Sequence, residues 1–267
     1  MKILLIGWGN MGDAMLQGWV RSPDVTHIDA VSPHAKDRPA QTKVSAFGSI
    51  EEWASQKRDV DMAVLAFKPF KFVEICPGLK PYLKPDLPIL SVAAGITLSQ
   101  LTEFLGEDHP FIRTMPNTPS AIGLGMTGYC FSNKAKPYHK DITVKLLSVL
   151  GETMEVADDE GINAVSAVSG SGPAYFYKFI ESIENTALNM GFDANQAALL
   201  ARQSFFGAAG LLKASGKDPA TLRAEVTSPK GATAAGIAVF DENRALESMV
   251  KRAIAAALER NRTLGKN

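Results

Sequence analysis

A glycine-rich loop near the start of the chain limits its fold more than any other feature. The segment Gly7-Trp8-Gly9-Asn10-Met11-Gly12 follows the β-rich run Lys2–Ile6 and opens a predicted helix over Met11–Arg21. In that setting the first glycine makes a tight turn, the second lets the backbone approach a pyrophosphate, and the third permits close packing of helix on strand. We therefore predict a dinucleotide site that includes Gly7, Gly9, Asn10, Met11 and Gly12.

The same glycine spacing recurs later in the chain. Gly123-Leu124-Gly125-Met126-Thr127-Gly128 follows a proline-containing loop and leads into a predicted strand. Because no helix begins there, no helix N-terminus is available to receive a phosphate. We interpret this second match as a loop.

The first half of the chain alternates short β-rich runs with helical segments. The predicted strands are Lys2–Ile6, His27–Val31, Met62–Phe67, Ile89–Ala93, Phe111–Thr114, Tyr129–Ser132 and Thr153–Ala157. Helical segments are predicted at Met11–Arg21, Ile50–Gln56 and Pro137–Leu150. Such alternation is typical of a parallel sheet with crossover helices. We predict an α/β fold, with a Rossmann-type dinucleotide-binding domain over residues 1–157.

The pattern changes after Ala157. A polar break at Asp158–Gly161 is followed by helical spacing of apolar residues, with predicted helices at Pro173–Met190, Ala194–Ala214 and Arg244–Leu264. We predict an all-helical domain over residues 158–267. About 110 residues of such helices would struggle to cover their own apolar faces, so we expect this domain to form a dimer interface.

Composition excludes several classes of protein. Lys plus Arg and Asp plus Glu number 28 each, so there is no excess positive charge to attract nucleic acid or an anionic membrane. Cys76 and Cys130 have no metal-ligand spacing, and we predict free core thiols and no metal site. Apolar runs are too short to span a membrane, and polar residues interrupt any N-terminal signal. We expect a cytoplasmic protein with a small-molecule partner.

The end of the second predicted strand favours NADP(H). NAD sites usually place an acidic residue there, but this chain has Ser32, and Asp29 lies inside the strand. His34, Lys36 and Arg38 follow, and they could accommodate a 2′-phosphate or could be solvated loop charges. We assign Ser32 and His34 to the coenzyme site and keep NAD(H) as a possible coenzyme.

Further candidates follow the next strands, where ligands of parallel sheets bind. Ala66, Phe67, Lys68 and Pro69 form one such segment, and Ala93, Ala94 and Gly95 form another. The small residues would let a nicotinamide ring lie against backbone, although tight packing also explains them. Lys68 could reach a phosphate or merely cap the sheet. Asn117, in a rigid turn, could orient the nicotinamide or satisfy its own turn.

Two segments of the helical domain resemble helix starts. In Ser169–Tyr175, Pro173 suits the first helical turn. In Thr227–Thr233, small residues follow hydroxyl residues, so that free backbone N–H groups and the helix dipole would form an anion socket suited to a carboxylate. An ordinary helix start with nothing bound is the alternative for each.

These segments together resemble pyrroline-5-carboxylate reductase over essentially the whole chain. The similar segments are Ile6–Gly12, Ala66–Pro69, Ser91–Gly95, Arg113–Pro119, Ser169–Tyr175 and Ser228–Thr233. The resemblance implies reduction of (S)-1-pyrroline-5-carboxylate to L-proline, the last step of proline biosynthesis, and a helical domain that dimerises and can build larger rings. It also implies that Gly231, Ala232 and Thr233 hold the substrate carboxylate. The sequence departs from the family's pattern at Phe67, Glu225 and Lys230.

The residue inventory agrees with reduction of an imine. Reducing a ketone requires a proton donor, whereas a protonated imine needs mainly orientation and a carboxylate anchor. All four histidines precede the candidate substrate segments, and we assign no catalytic residue. Ser169 and Thr233 are the candidate hydroxyls for substrate contact. The alternatives are a 2- or 3-hydroxyacid dehydrogenase using Lys178, or a catalytically silent NADPH-binding sensor.

Overall fold

One eight-stranded sheet organises the first part of the chain in the computed structural model, which describes residues 1–264. The strands are β1 Lys2–Ile6, β2 His27–Val31, β3 Val44–Phe47, β4 Met62–Leu65, β5 Ile89–Ser91, β6 Phe111–Met115, β7 Gly125–Phe131 and β8 Gly151–Glu155. Their spatial order is β3-β2-β1-β4-β5-β6-β7-β8. Strands β1 to β6 are parallel to one another, so their carboxyl ends share one edge.

The sheet confirms the predicted alternation and corrects it at two points. Strand β7 runs antiparallel to β6, because only a short loop with one turn of 3₁₀ helix at Thr118–Ile122 joins them. A helix crosses between β7 and β8, which are parallel. The prediction also missed β3, a four-residue strand at the sheet edge whose first three residues are partly exposed.

Helices cover both faces of this sheet. They are α1 Asn10–Arg21, α2 Ile50–Ser55, α3 Phe72–Leu79, α4 Leu98–Leu105, α5 Pro137–Ser148 and α6 Asp159–Val165. One core cluster contains side chains of α1 and α5, and Trp19 Nε1 donates to the Leu146 carbonyl at 2.9 Å. The other cluster contains side chains of α2, α3 and α4, among them Trp53, Phe72 and Leu101. This two-sided burial explains why the central strands are apolar throughout.

The second part of the chain is helical, as predicted. Its helices are α7 Gly172–Asn189, α8 Ala194–Ser215, α9 Pro219–Glu225, α10 Ala232–Asp241 and α11 Ala245–Leu264. In residues 172–256 the buried hydrophobic side chains are those of three alanines, Ala187, Ala197 and Ala201, whereas Phe176, Phe206 and many leucines are exposed. An apolar surface of that extent indicates an interface.

The chain divides by compactness into two units. One, the sheet unit, comprises Met1–Ser171 together with residues 257–264, and the other, the helical unit, comprises Gly172–Ala256. The domain boundary expected between residues 157 and 158 stays a prediction, and its C-terminal limit at residue 267 lies outside the described residues. Helix α6 packs with the sheet unit because the buried Arg113 on β6 bonds to Asp159.

Two further observations concern residues 1–264. No helix in this span has the length and apolarity needed to cross a membrane. His, Cys, Asp and Glu side chains of the same span form no group of three that could hold a metal ion. Cys76 and Cys130 are buried free thiols, as expected, and burial raises the pKa of each to about 12.

Candidate active site

The sheet brings the predicted coenzyme residues to one edge. The Gly7 amide donates to the Val31 carbonyl at 2.9 Å, and the Ala66 amide donates to the Ile6 carbonyl at 2.8 Å. The Val92 amide donates to the Leu65 carbonyl at 3.1 Å, which continues the ladder. The carboxyl ends of β2, β1, β4, β5 and β6 therefore present, in that order, Ser32, Gly7–Gly12, Ala66–Pro69, Ala93–Gly95 and Asn117.

The three glycines of the loop meet different surroundings. Gly7 has φ +99°, and a Cβ there would lie 2.6 Å from the Ala66 carbonyl oxygen. A Cβ on Gly12 would lie 2.2 Å from the Gly7 carbonyl oxygen. A Cβ on Gly9 would meet nothing within 4 Å. The protein's own packing therefore requires Gly7 and Gly12, whereas Gly9 faces open space where a ligand could approach the backbone.

The start of α1 offers backbone donors beside Gly9. Gly9 is the N-cap residue and supplies no side chain, and the Asp13 amide makes the first helical bond, to the Gly9 carbonyl at 2.8 Å. The amides of Asn10, Met11 and Gly12 precede that bond and have no acceptor within the helix. Together with the helix dipole they favour an anion such as a pyrophosphate.

The acidic residue of β2 is engaged inside the protein. Asp29 is 2% exposed and accepts hydrogen bonds from Trp53 Nε1 at 3.0 Å and Arg58 Nη1 at 2.9 Å. Beyond the strand, Ser32 is partly exposed and His34 is exposed, with His34 Nδ1 3.4 Å from an Asp37 carboxylate oxygen. The end of β2 thus presents a hydroxyl and an imidazole where an NAD site usually has a carboxylate.

The two cations after β2 have different partners. Lys36 pairs with Glu52 at 2.5 Å on the surface. Arg38 instead turns back to the glycine loop, where Nη2 donates to the Trp8 carbonyl at 2.7 Å and Nη1 bonds Asp13 at 3.2 Å. The sequence suggested both as charges for a phosphate and gave no signal for the packing of Arg38 on Trp8.

The segments after β4 and β5 line the middle of this edge. Ala66, Phe67 and Pro69 are partly exposed and Lys68 is exposed. Ala93 and Gly95 are buried, and Gly95 has φ +81°, a conformation that favours glycine. The Phe67 ring packs on Phe72 with centroids 4.6 Å apart. Phe67 therefore anchors its segment to α3 while leaving part of its surface at the edge.

Asn117 joins this edge to the segment that precedes α7. Its buried side chain donates from Nδ2 to the Ser169 carbonyl at 3.0 Å and accepts from the Met126 amide at 2.9 Å. Ser169 Oγ donates to the Val165 carbonyl at 3.1 Å within a π-helical turn over Ser166–Gly170. The predicted substrate residue Ser169 thus lies beside the carboxyl end of β6. Such turns occur frequently at functional sites.

Arg113 is a positioning residue, which the sequence indicated only as part of the segment Arg113–Pro119. It is 3% exposed, and Nη1 bonds an Asp159 carboxylate oxygen at 2.6 Å while Nη2 donates to Asn163 Oδ1 at 3.0 Å. Asp159 also accepts from the Leu98 amide at the start of α4. The pair therefore ties α6 and α4 to the sheet. Partners 46 residues apart leave no local pattern that would reveal them.

The histidines lie away from the middle of the candidate edge. His27 opens β2 and His109 precedes β6, so both belong to the opposite edge of the sheet. Burial lowers the pKa of His109, and likewise that of His139, whose Nδ1 accepts from the Lys136 amide. Only His34 of the four follows a strand at the candidate edge, at the end of β2. The arrangement provides orientation and leaves proton transfer without a histidine.

The predicted carboxylate site opens α10 in the helical unit. Gly231 is the N-cap residue without a side-chain cap, and the Ala235 amide makes the first helical bond, to its carbonyl at 3.2 Å. The exposed Ala232 and Thr233 therefore present amides at a positive helix end. Lys230 has φ +60°, a backbone conformation that favours glycine, so this chain adopts the turn with a lysine.

Lys178, the residue of the alternative dehydrogenase, lies on the surface of α7. Its ammonium group is exposed and pairs with Glu181 at 2.8 Å, one turn further along the helix. Glu225, another departure from the family pattern, pairs with Lys217 at 2.6 Å. Both side chains thus have ordinary surface partners.

Comparison with known proteins matches both parts of the chain. A family model described as pyrroline-5-carboxylate reductase dimerisation matches residues 159–264, and one described as NADP oxidoreductase, coenzyme F420-dependent, matches residues 2–95. The pyrroline-5-carboxylate reductase of Pseudomonas aeruginosa is 36% identical over 98% of this chain and 96% of its own. Pyrroline-5-carboxylate reductase 2 of Bacillus subtilis is 34% identical over 93% and 90%.

Solved structures agree along nearly the full length. The pyrroline-5-carboxylate reductase of Coxiella burnetii has a TM-score of 0.87 at 27% identity, covering 99% of this chain and 98% of its own. The Plasmodium falciparum pyrroline carboxylate reductase, solved with NADP bound, has a TM-score of 0.83 at 27% identity and the same coverage.

Proposed function

The chain belongs to the pyrroline-5-carboxylate reductase family and reduces (S)-1-pyrroline-5-carboxylate to L-proline; we propose that it prefers NADPH and that the sheet-edge residues described above bind it. The observation that carries this proposal is the glycine loop. Gly9 faces open space beside the unbonded amides of α1, at the edge where ligands of such sheets bind.

The coenzyme residues divide by what they can contact. Gly9, Asn10 and Met11 offer backbone to the pyrophosphate, with Gly7 and Gly12 shaping the turn. The rest of the coenzyme would be bordered by Ala66–Pro69, Ala93–Gly95 and Asn117. When bound, the coenzyme supplies the hydride that reduces the imine carbon.

The residues of β2 and of the segment after it favour NADPH over NADH. Asp29 is occupied by Trp53 and Arg58, so its carboxylate is not offered to a ribose 2′-hydroxyl. Ser32 and His34 supply hydrogen-bonding groups that suit a 2′-phosphate. NADH remains usable, because the loop contacts do not depend on that phosphate.

The substrate is held mainly by its carboxylate. The amides of Ala232 and Thr233, the Thr233 hydroxyl and the backbone of Gly231 form the anion socket. The Ser169 hydroxyl stays the other candidate for substrate contact. A protonated cyclic imine is already electrophilic, so rate acceleration comes from orientation and exclusion of water, without an assigned proton donor.

The protein acts as a homo-oligomer through its dimerisation domain. The exposed aromatic and leucine side chains of residues 172–256 supply the apolar surface for a second copy. Assembly of dimers into a larger ring and a cytoplasmic location stay predictions.

The test of activity is consumption of reduced nicotinamide by the purified protein. We expect NADPH oxidation with pyrroline-5-carboxylate and none with a panel of 2- and 3-keto acids. Activity with keto acids alone would favour the dehydrogenase alternative, in which Lys178→Met abolishes turnover. Coenzyme binding without any turnover would favour the sensor.

The test of the carboxylate socket is Thr233→Ala. We expect the KM for pyrroline-5-carboxylate to rise about tenfold while the KM for NADPH stays within twofold, as for loss of one hydrogen bond to a charged group. Thr186→Ala in α7, whose hydroxyl donates to the Ser182 carbonyl within the helix, serves as the matched control. Equal changes in both KM values would contradict the assignment.

A further inference from the structure

We propose that Arg38 is a positioning residue that fixes the glycine loop through Trp8, and is not a ligand of the coenzyme's 2′-phosphate. The inference rests on the proposed function in one respect, because it takes the Gly7–Gly12 loop as the coenzyme site. A cation after β2 could either position the loop or bind the 2′-phosphate. The first role affects the binding of NADPH and NADH equally, whereas the second affects the binding of NADPH alone.

Three interactions hold the Arg38 guanidinium on the loop. Nη2 donates to the Trp8 carbonyl at 2.7 Å, Nη1 donates to Asp13 Oδ1 at 3.2 Å, and the guanidinium carbon lies 5.0 Å from the centre of the Trp8 ring. The last is the geometry of a cation–π contact. A planar guanidinium, whose donors are held in a rigid fork, satisfies all three at once.

Trp8 is itself anchored on the protein side. Its side chain is 4% exposed and belongs to the core cluster that contains Met15 and Trp19. Trp8 Nε1 donates to Asp13 Oδ1 at 2.8 Å, so this one oxygen accepts bonds from both Trp8 and Arg38. Trp8, Asp13 and Arg38 form a closed cluster, which we call the loop clasp.

The clasp acts on the peptide between Trp8 and Gly9. Because a peptide is planar and trans, fixing the direction of the Trp8 carbonyl also fixes the opposite direction of the Gly9 N–H. Gly9 has no side chain to restrict its backbone and faces open space, so the peptide would otherwise be free to rotate. Arg38 therefore preorganises the Gly9 N–H, a backbone donor of the loop that the proposed function assigns to the coenzyme pyrophosphate.

The same contacts argue against a phosphate on Arg38. Both terminal nitrogens already have acceptors, and the Asp13 carboxylate offsets the positive charge. A 2′-phosphate would have to displace Asp13 or lie beside its negative charge, and either arrangement weakens binding. The nearby Lys36 is paired with Glu52 and does not touch the loop.

The experiment compares the Kd values of NADPH and NADH for Arg38→Met, Arg38→Gln and the control Lys36→Met. We expect Arg38→Met to raise both Kd values by the same factor, about tenfold, with the NADPH-to-NADH ratio within twofold of that of the unaltered protein. Arg38→Gln keeps an N–H donor for the Trp8 carbonyl, so it should recover part of both affinities. Lys36→Met should leave both unchanged.

Two results would overturn the proposal. A loss confined to NADPH, which the neutral glutamine does not recover, would identify Arg38 as a 2′-phosphate ligand and overturn the proposal. Unchanged affinities for both coenzymes would overturn it too. If Arg38→Met does not fold, the ratio of the NADPH and NADH Kd values of Arg38→Gln decides between the two roles. The assay measures coenzyme binding alone, so the failure of pyrroline-5-carboxylate reduction in the unaltered protein would refute the proposed function without touching this comparison.

Discussion

Gly9 and Gly12, three residues apart in one loop, should fail in different ways when replaced by alanine. The ideal Cβ of Gly12 would lie 2.2 Å from the Gly7 carbonyl oxygen, whereas ordinary contact begins near 3.4 Å. Helix α1 must therefore move by about 1 Å away from β1, against a close-packed core. Alanine favours a helix over glycine by about 1 kcal/mol, which offsets part of the cost.

The magnitude follows from overpacking. Insertion of a methyl group against fixed backbone costs about 1–3 kcal/mol or more, so we expect Gly12→Ala to destabilise the sheet unit by about 2 kcal/mol. At roughly 2–4 °C per kcal/mol, the melting temperature should fall by about 4–8 °C. Gly9→Ala should leave it unchanged, since its φ of −88° suits alanine and no atom lies within 4 Å.

The Gly9→Ala variant should instead lose affinity for the coenzyme. The Gly9→Ala methyl group occupies the open space through which a pyrophosphate approaches, so we expect the Kd for NADPH to rise at least about tenfold, equivalent to about 1.4 kcal/mol. Thermal unfolding without coenzyme and titration with NADPH measure the two effects separately. The reasoning is refuted if Gly9→Ala unfolds as readily as Gly12→Ala, or if it binds NADPH with the affinity of the unaltered protein.

Three further predictions address specificity, pH and assembly. Ser32→Asp should shift the kcat/KM ratio toward NADH, and an unchanged ratio would remove the 2′-phosphate argument. Burial lowers the pKa of His109 and His139, so the unfolded chain binds more protons, and stability should fall as pH drops below about 6.5; His139→Gln should make this fall shallower in urea titrations. Phe206→Glu, on an exposed face of α8, should shift sedimentation toward the monomer, and an unaltered mass would place the interface elsewhere.

Elements with a strong local pattern could be predicted from the sequence. The strand Lys2–Ile6 has the same bounds in the prediction and in the structure, because burial on both faces makes it apolar. The helix predicted at Met11–Arg21 begins one residue earlier, at Asn10, and its amphipathic pattern identified it. Strand β3 escaped prediction because it has four residues and lies partly exposed at the sheet edge, so it lacks the long apolar run of a central strand. Strand β7 was predicted in part, at Tyr129–Ser132, but its antiparallel direction was not, because strand direction depends on the connection and not on the strand's own residues.

The candidate site shows the same division. The glycine spacing identified the loop, and the structure explains it, since Gly7 and Gly12 meet backbone and Gly9 meets none. Nothing local predicted that Asn117 would bond the Ser169 carbonyl, or that Arg38 would pack on Trp8. Those contacts join residues that are 52 and 30 positions apart.

The sequence by itself determined the class of fold, the coenzyme loop and the family, because each is written in short-range patterns: apolar periodicity, glycines at fixed spacing and motifs within a few residues. Only the tertiary structure decided which polar side chains are free to meet a ligand. Asp29 and Arg38 are charged groups near the coenzyme edge, yet the fold commits one to Trp53 and Arg58 and the other to Trp8 and Asp13. Burial makes such pairing necessary, and the partners are chosen by how distant segments pack.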